Sequence, residues 1–291
     1  MKIHLVDGTY ELFRHYYALP SHVNAAGQEV AATRGVLRSM LSLLADNSTH
    51  IAVATDHVIE SFRNDLWPGY KDGSGIEPEL FSQFGLLEEA LRALGVTVWA
   101  MEEYEADDGL AAGAALAAAD GRVEQVLICT PDKDLAQCVI GRRVVQLDRR
   151  RSLLIDEAKV REKYGVPPAS IPDYLALVGD DADGFPGLPG WGAKSAAAVL
   201  SRYAHIEKVP ARAMDWEVKV RGANRLAATL AEQRELALLF RRLATLERKA
   251  PIAGGLDGLR WRGPTPALVA VAETLEDIDL PRRADALAQA R

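Results

Sequence analysis

Met1-Lys2-Ile3-His4-Leu5-Val6-Asp7 reads as a strand of apolar residues running into an acid. It lacks the long apolar stretch of a leader segment. The pattern recurs: Ile51-Ala52-Val53-Ala54-Thr55 ends on Asp56, and Val126-Leu127-Ile128-Cys129 reaches Asp132 and Asp134 after a two-residue turn. With Lys2–Val6, Ile51–Thr55 and Val126–Cys129, the strand candidates also include Val96–Trp99 and Val144–Leu147. Helical patterns lie between them. Over Glu79–Leu94, Pro78 suits the first turn, Leu80, Phe84, Leu87, Leu91 and Leu94 make one apolar stripe, and Gly95 is the stop. Val30–Leu44 turns Val36, Leu37, Met40, Leu41 and Leu44 inward, and the alanine-rich Asp107–Ala119 opens with two acids, which a helix dipole favours. Strands alternating with helices predict an α/β fold, a parallel-type central sheet with flanking helices.

Near Tyr164-Gly165-Val166-Pro167-Pro168 the character changes. Strand signals vanish, five glycines fall between Gly179 and Gly192, and alanine-rich helices follow, including one over roughly Arg225–Leu246. The expected division is an α/β domain over residues 1–166 and a helical C-terminal domain over 167–291. Between Phe62 and Pro78 lies a polar segment broken by Pro68, Gly69, Gly73 and Gly75, expected to be mobile and exposed.

The chain has 291 residues, 48% hydrophobic and 26% charged. That is ordinary for a globular protein with a real core and excludes whole-chain disorder, collagen and coiled coil. The longest apolar region, Leu110–Ala119, is too short to span a bilayer. Cys129 and Cys138 cannot make a disulfide framework, and no Cys/His cluster has zinc spacing. A soluble, reduced, cytoplasmic protein is the expectation. The net charge of −7 argues against nucleic acid as a partner, yet nine of the carboxylates sit in five short motifs. Without them the balance turns slightly positive, so whole-chain charge decides nothing.

Those nine are Asp7, Asp56, Glu105, Asp107, Asp108, Asp132, Asp134, Asp180 and Asp183. In a doubly wound sheet the carboxyl ends of strands line one crevice, where acids that end strands converge. Asp180 and Asp183, three apart, share a face if their turn is helical. So many carboxylates cannot ionise together without counter-charge. Hard divalent cations bound through oxygen answer that need, and Mg²⁺ or Mn²⁺ suits acids without His or Cys. Taken singly, each motif reads equally well as a helix cap, a helix N-terminus or an acidic loop. Taken together on one sheet edge, they point to metal.

The residues also resemble the 5′-nuclease family: flap endonucleases, phage 5′-exonucleases and the 5′-nuclease domain of bacterial polymerase I. Val6-Asp7-Gly8 through Phe13-Arg14 to Tyr17-Ala18 resembles the family's opening strand, first metal acid and phosphate-contacting arginine. Asp56 with Ser61-Phe62-Arg63, and then Tyr70-Lys71, resemble the second metal acid and the helical arch. Tyr104-Glu105-Ala106-Asp107-Asp108 and Asp132-Lys133-Asp134-Leu135 with Gln137 are specific signatures. Most specific is Gly179-Asp180-Asp181-Ala182-Asp183 running into Pro186-Gly187-Leu188-Pro189-Gly190-Trp191-Gly192-Ala193-Lys194-Ser195. Val218-Lys219-Val220-Arg221-Gly222 and Leu243-Ala244-Thr245-Leu246 are similar to the family's C-terminal region. Three positions depart: Ser74 where an arch arginine is usual, Gly184 where asparagine is usual, and Lys249 where an acid is commoner.

The resemblance implies a stand-alone, structure-specific 5′-nuclease with a resolvase-like core and a helix-hairpin-helix element, using two divalent ions to cut near the 5′ end or flap of DNA. Asp7, Asp56, Glu105, Asp107 and Asp132 would serve the first ion, and Asp108, Asp134, Asp180 and Asp183 the second. Lys71 and Arg63 would face the scissile phosphate and Arg14 a neighbouring one, with Tyr70 beside the substrate. Gly187, Gly190, Gly192, Lys194 and Ser195 would receive the DNA backbone, with a K⁺ ion in that element. The implied partner is DNA with a flap, nick or single-strand/double-strand junction, and the implied state is a monomer. Residues Arg63–Gly75 are expected to order only on a DNA end. Two alternatives remain. A DNA-junction-binding protein with weak turnover is motivated by Ser74. A haloacid-dehalogenase-type phosphatase is motivated by Val6-Asp7-Gly8-Thr9, although Leu5 stands where that chemistry needs its nucleophilic aspartate.

Overall fold

A computed structural model describes residues 1–46 and 48–291 of the chain. Its elements run β1 (Lys2–Asp7), α1 (Gly8–Ala18), α2 (Ala31–Ala45), β2 (His50–Asp56), α3 (Phe62–Leu66), α4 (Pro78–Phe81), α5 (Gln83–Ala93), β3 (Thr97–Met101), α6 (Ala106–Ala119) and β4 (Gln125–Cys129). Then come β5 (Val144–Asp148), β6 (Leu153–Ile155), α7 (Glu157–Tyr164), α8 (Ile171–Val178), α9 (Ala193–Tyr203), α10 (Ala223–Glu232), α11 (Arg234–Ala244), α12 (Gly255–Gly258), α13 (Leu268–Thr274) and α14 (Leu280–Gln289). They fall into two compact units. The first comprises Met1–Ile59, Gly73–Thr130 and Glu247–Arg291, and the second Glu60–Asp72 and Pro131–Leu246. The boundary expected at residues 166 and 167 lies inside the second unit. Among the described residues no helix is long and apolar enough to cross a membrane.

In the first unit four strands pair in the order β3-β2-β1-β4, all parallel. Their apolar runs are continuous rather than alternating because helices cover both faces: Ile3, Leu5, Val6, Ile51, Ala52, Val53, Val126 and Ile128 are all buried. The register sets Asp7 opposite Ala54, Asp56 opposite Met101 and Val6 opposite Cys129, so the strands' carboxyl ends share one edge. Residues near Trp261 stitch onto the same unit. The Ile51 amide donates to the Leu259 carbonyl (2.8 Å), the Trp261 amide to Thr49 (2.9 Å), and the Trp261 indole to Leu94 (2.8 Å).

The helix predicted over Glu79–Leu94 is divided into α4 and α5 at Ser82. The Ser82 hydroxyl donates to the Glu79 carbonyl (3.0 Å), the local competition for backbone acceptors that makes serine a poor mid-helix residue. The predicted stripe survives the break, with Leu80, Phe84, Leu87, Leu91 and Leu94 all buried. The helix predicted over Arg225–Leu246 is likewise two, α10 and α11, meeting at Gln233.

The second unit is built around α8 and α11, with Leu175, Leu177, Phe185 and Phe240 in its core and the rings of Phe185 and Phe240 stacked at 5.6 Å. Its strands are the antiparallel pair β5–β6; β6 was not anticipated from the sequence, its residues being short and mostly exposed.

Candidate active site

In the first unit Asp7 is the last residue of β1 and the cap of α1. Its Oδ1 accepts from the Tyr10 amide (2.8 Å) and its Oδ2 from the Thr130 hydroxyl at the end of β4 (3.0 Å). Asp56 ends β2; its Oδ1 accepts from the Ala106 amide (2.7 Å), which ties the sheet edge to the start of α6. Glu105 and Asp108 cap that helix reciprocally, the Glu105 amide donating to Asp108 Oδ2 (3.1 Å). Asp108 is fully buried and its Oδ1 accepts from the Glu247 amide (2.8 Å), while Asp107 is half-buried. The fold thus brings Asp7, Asp56 and Glu105–Asp108 to one edge. The capping alternative is also realised, because a carboxylate has about four acceptor sites and a cap occupies only one or two.

In the second unit Asp134, Asp180 and Asp183 each offer an oxygen such that all three lie within 4.8 Å of one another, and all three residues are buried. Asp134 opens a tight 3-10 turn, Asp134–Cys138, and its amide donates to Asp132 Oδ1 (2.9 Å). Asp180 is fixed by a backbone bridge to Phe185 (2.8 and 3.1 Å). Asp134 Oδ1 is buried without a hydrogen-bond partner. Burial, and then the charges of Asp132, Asp183 and Asp180, hold its carboxyl well above the usual range. Two lysines answer the other acids: Lys133 Nζ donates to Asp180 (2.7 Å), and Lys71 Nζ pairs with Asp183 (3.0 Å). Burial lowers the Lys133 ammonium, but its bond to Asp180 and the charges of Asp180, Asp134 and Asp132 together hold it above the ordinary lysine value. Sequence reasoning misses Lys133 as a functional residue; its place between Asp132 and Asp134 is the available signal.

The segment after Phe62 corrects two expectations. Arg63 is not a surface cation: it is fully buried, and its guanidinium donates to the carbonyls of Leu243 (2.8 Å) and Thr245 (3.2 Å). These close α11, where unpaired carbonyls and the helix dipole favour a cation. Tyr70 is 5% exposed and packs in the core of this unit, so its ring is not presented on the surface. The Lys71 amide donates to the Asp183 carbonyl (3.1 Å), and Asn64 holds the Lys71 carbonyl (3.0 Å). The segment expected to be exposed is therefore anchored at both shoulders, with Asp65, Leu66, Pro68 and Gly69 exposed between them. Gly184, the departure from asparagine, has a φ of +80°, and a Cβ there would strike the Gly69 carbonyl. Arg14 lies on α1, 28% exposed, with Nη2 on Glu11 (2.5 Å).

Of the predicted DNA-facing residues, Gly187 is buried with φ +69° against the backbone of Leu177–Gly179, so its lack of a side chain serves internal packing. Trp191, left open in the sequence, is core: 7% exposed and 6.1 Å from the Trp216 ring. Gly190, Gly192, Lys194 and Ser195 line an open groove of about 490 Å³ at the start of α9, which Lys219 and Arg221 also line. Ser195 caps the helix by accepting from the Gly192 amide (3.0 Å).

Two family models match: the N-terminal resolvase-like domain of 5′-3′ exonucleases over residues 2–165, and their C-terminal SAM fold over residues 166–267. DNA polymerase I of Bacillus caldotenax is 36% identical over 267 residues, 90% of this chain, and that of Pseudomonas aeruginosa 36% over 283 residues, 94% of it. The chain spans about 30% of the length of these relatives. A phage T5 5′-exonuclease structure with bound zinc aligns with a TM-score of 0.67 at 16% identity, covering 99% of both chains. The catalytic core of Rad2 in complex with DNA substrate aligns at 0.61 and 14%, covering 98% of this chain and 92% of that one. With a resolvase-like α/β half and a helical SAM-type half matched in succession by the two family models, the chain belongs to the 5′-3′ exonuclease family.

Proposed function

We propose that this protein is a divalent-metal-dependent 5′-nuclease that hydrolyses phosphodiester bonds near the 5′ end or flap of DNA, in replication or repair. The observation that carries the reading is the buried trio Asp134, Asp180 and Asp183, with one carboxyl oxygen lacking any donor. An all-oxygen donor set of this charge fits Mg²⁺ or Mn²⁺ and not a thiophilic metal. In the second unit Asp134, Asp180 and Asp183 would hold a cation, with Asp132 beside them; in the first, Asp7, Asp56, Glu105, Asp107 and Asp108 offer a second oxygen set. A divalent ion so held supplies Lewis acidity, lowering the pKa of water and offsetting phosphate charge.

The chain's own residues do the rest. Lys71 carries the cation that meets the phosphate undergoing attack, and Arg14, with nearly three-quarters of its side chain covered, positions a neighbouring one. Lys194, Lys219 and Arg221 receive duplex backbone at the groove before α9, where the first amides of that helix also point to anions; a K⁺ ion at the Gly190–Ser195 turn belongs to the same reading. Arg63 and Tyr70 act by fixing the base of the arch rather than by touching DNA. The phosphatase alternative lacks support, since Leu5 is a fully buried strand residue.

A duplex carrying a labelled 5′ flap, incubated with Mg²⁺, with Mn²⁺ and with EDTA, tests the proposal. Cleavage in either metal and none in EDTA is expected. Tight junction binding without cleavage in any metal would make the protein a binding module, and chelator-resistant cleavage would remove the metal from the mechanism.

A further inference from the structure

Three carboxylates crowd the centre of the second unit, and the protein meets their charge from within. Lys133 Nζ lies 2.7 Å from both oxygens of Asp180, and Lys71 Nζ lies 3.0 Å from Asp183 Oδ1. Both lysine side chains are 36% exposed, whereas those of Asp180 and Asp183 are 2% and 10% exposed. The acids are therefore enclosed, and the lysine side chains that pair with them are the more exposed partners. Asp134 Oδ1, buried and lacking a donor, has no such partner.

We propose that Lys133 and Lys71 are tethered counter-ions that occupy the charge of this centre in the metal-free protein and are displaced from Asp180 and Asp183 when a divalent cation enters. The inference rests on reading Asp134, Asp180 and Asp183 as cation ligands. Lys133 is then a positioning residue: it keeps Asp180 pointing inward without metal, at the cost of weaker apparent metal affinity, because the closed pair must open first. Lys71 carries a further consequence. An ammonium held by Asp183 is withheld from a DNA phosphate, so metal entry delivers Lys71 to substrate. By linkage, a phosphate that draws Lys71 away favours metal to the same extent. Neither effect needs a change of fold, only an exchange of partners at two side-chain ends.

Titration of the protein with Mn²⁺, following the free ion by electron paramagnetic resonance without DNA, separates the alternatives. Lys133→Met and Lys71→Met should each tighten Mn²⁺ binding at least threefold, while Lys133→Arg and Lys71→Arg should stay within twofold of wild type. Lys133→Gln serves as a second neutral variant, and circular dichroism checks that each protein is folded. Affinity that is unchanged or weaker in the folded neutral variants would overturn the counter-ion role while leaving the metal centre standing. No saturable Mn²⁺ binding by the wild-type protein would overturn both.

Discussion

Asp134 and Arg63 show how much one buried polar group decides. Asp134 carries a carboxyl oxygen without a donor and a pKa held well above 3.8. A raised carboxyl pKa means that the fold binds the proton more tightly than the unfolded chain. Its contribution is thus present at acid pH and fades as pH rises from about 4 through the raised value. In chelator, Asp134→Asn should flatten that decline and raise neutral-pH stability by about 1 kcal/mol, while slowing cleavage at least tenfold. Melts in EDTA across the pH range check the first part, and an unchanged profile would show that this carboxyl is not strained. Arg63→Ala should act in the opposite way. It strands two carbonyls at the end of α11 and should cost about 2–4 kcal/mol, read as a lower denaturant midpoint. A normal midpoint with lost cleavage would return Arg63 to the substrate. Arg63 is also where sequence was least informative: an arginine in a Pro/Gly-broken polar run looks solvated, and its acceptors lie 180 and 182 residues further along.

At the scale of elements, strands and their terminal acids were legible because a parallel strand buried on both faces is written as an unbroken apolar run, and an acid can only follow it. Helix stripes were legible for the same reason. The interruptions at Ser82 and Gln233 were not, since period 3.6 continues across a one-residue break. Helix α6 shows packing overriding propensity. Gly113 faces Trp99, whose Cζ3 would lie 2.6 Å from an added Cβ. Alanine is the better helix former by about 1 kcal/mol, yet Gly113→Ala should destabilise by about 1–3 kcal/mol through overpacking. Thermal unfolding of the variant decides it: a raised melting temperature would mean that Trp99 yields without cost.

For the whole molecule, a net charge of −7 coexists with a groove whose cations are Lys194, Lys219 and Arg221. Binding to phosphate is local and releases counter-ions, so affinity for flap DNA should fall steeply with salt. The pair Lys219→Ala and Arg221→Ala should weaken binding to all sequences alike and reduce the log–log salt slope by about 2. An unaltered slope would place the DNA elsewhere. The division into compact units follows a different line from the change in composition. Composition shifts near residue 166, but compactness follows contacts, and those of Glu247–Arg291 run back to the first unit.

That return has a bearing on how the protein comes to exist. Synthesis proceeds from the N-terminus, and domains tend to fold as their sequence emerges. When a ribosome has translated as far as Leu246, the nascent chain already holds all of the second unit, yet the first still lacks Leu259, Trp261 and the helices around Leu275 and Ala284, all buried there. The first unit, whose strands β1 and β2 are translated before any residue of the second, is therefore completed after the second, and until then the backbone at Thr49 and Ile51 waits for the partners that Leu259 and Trp261 will bring.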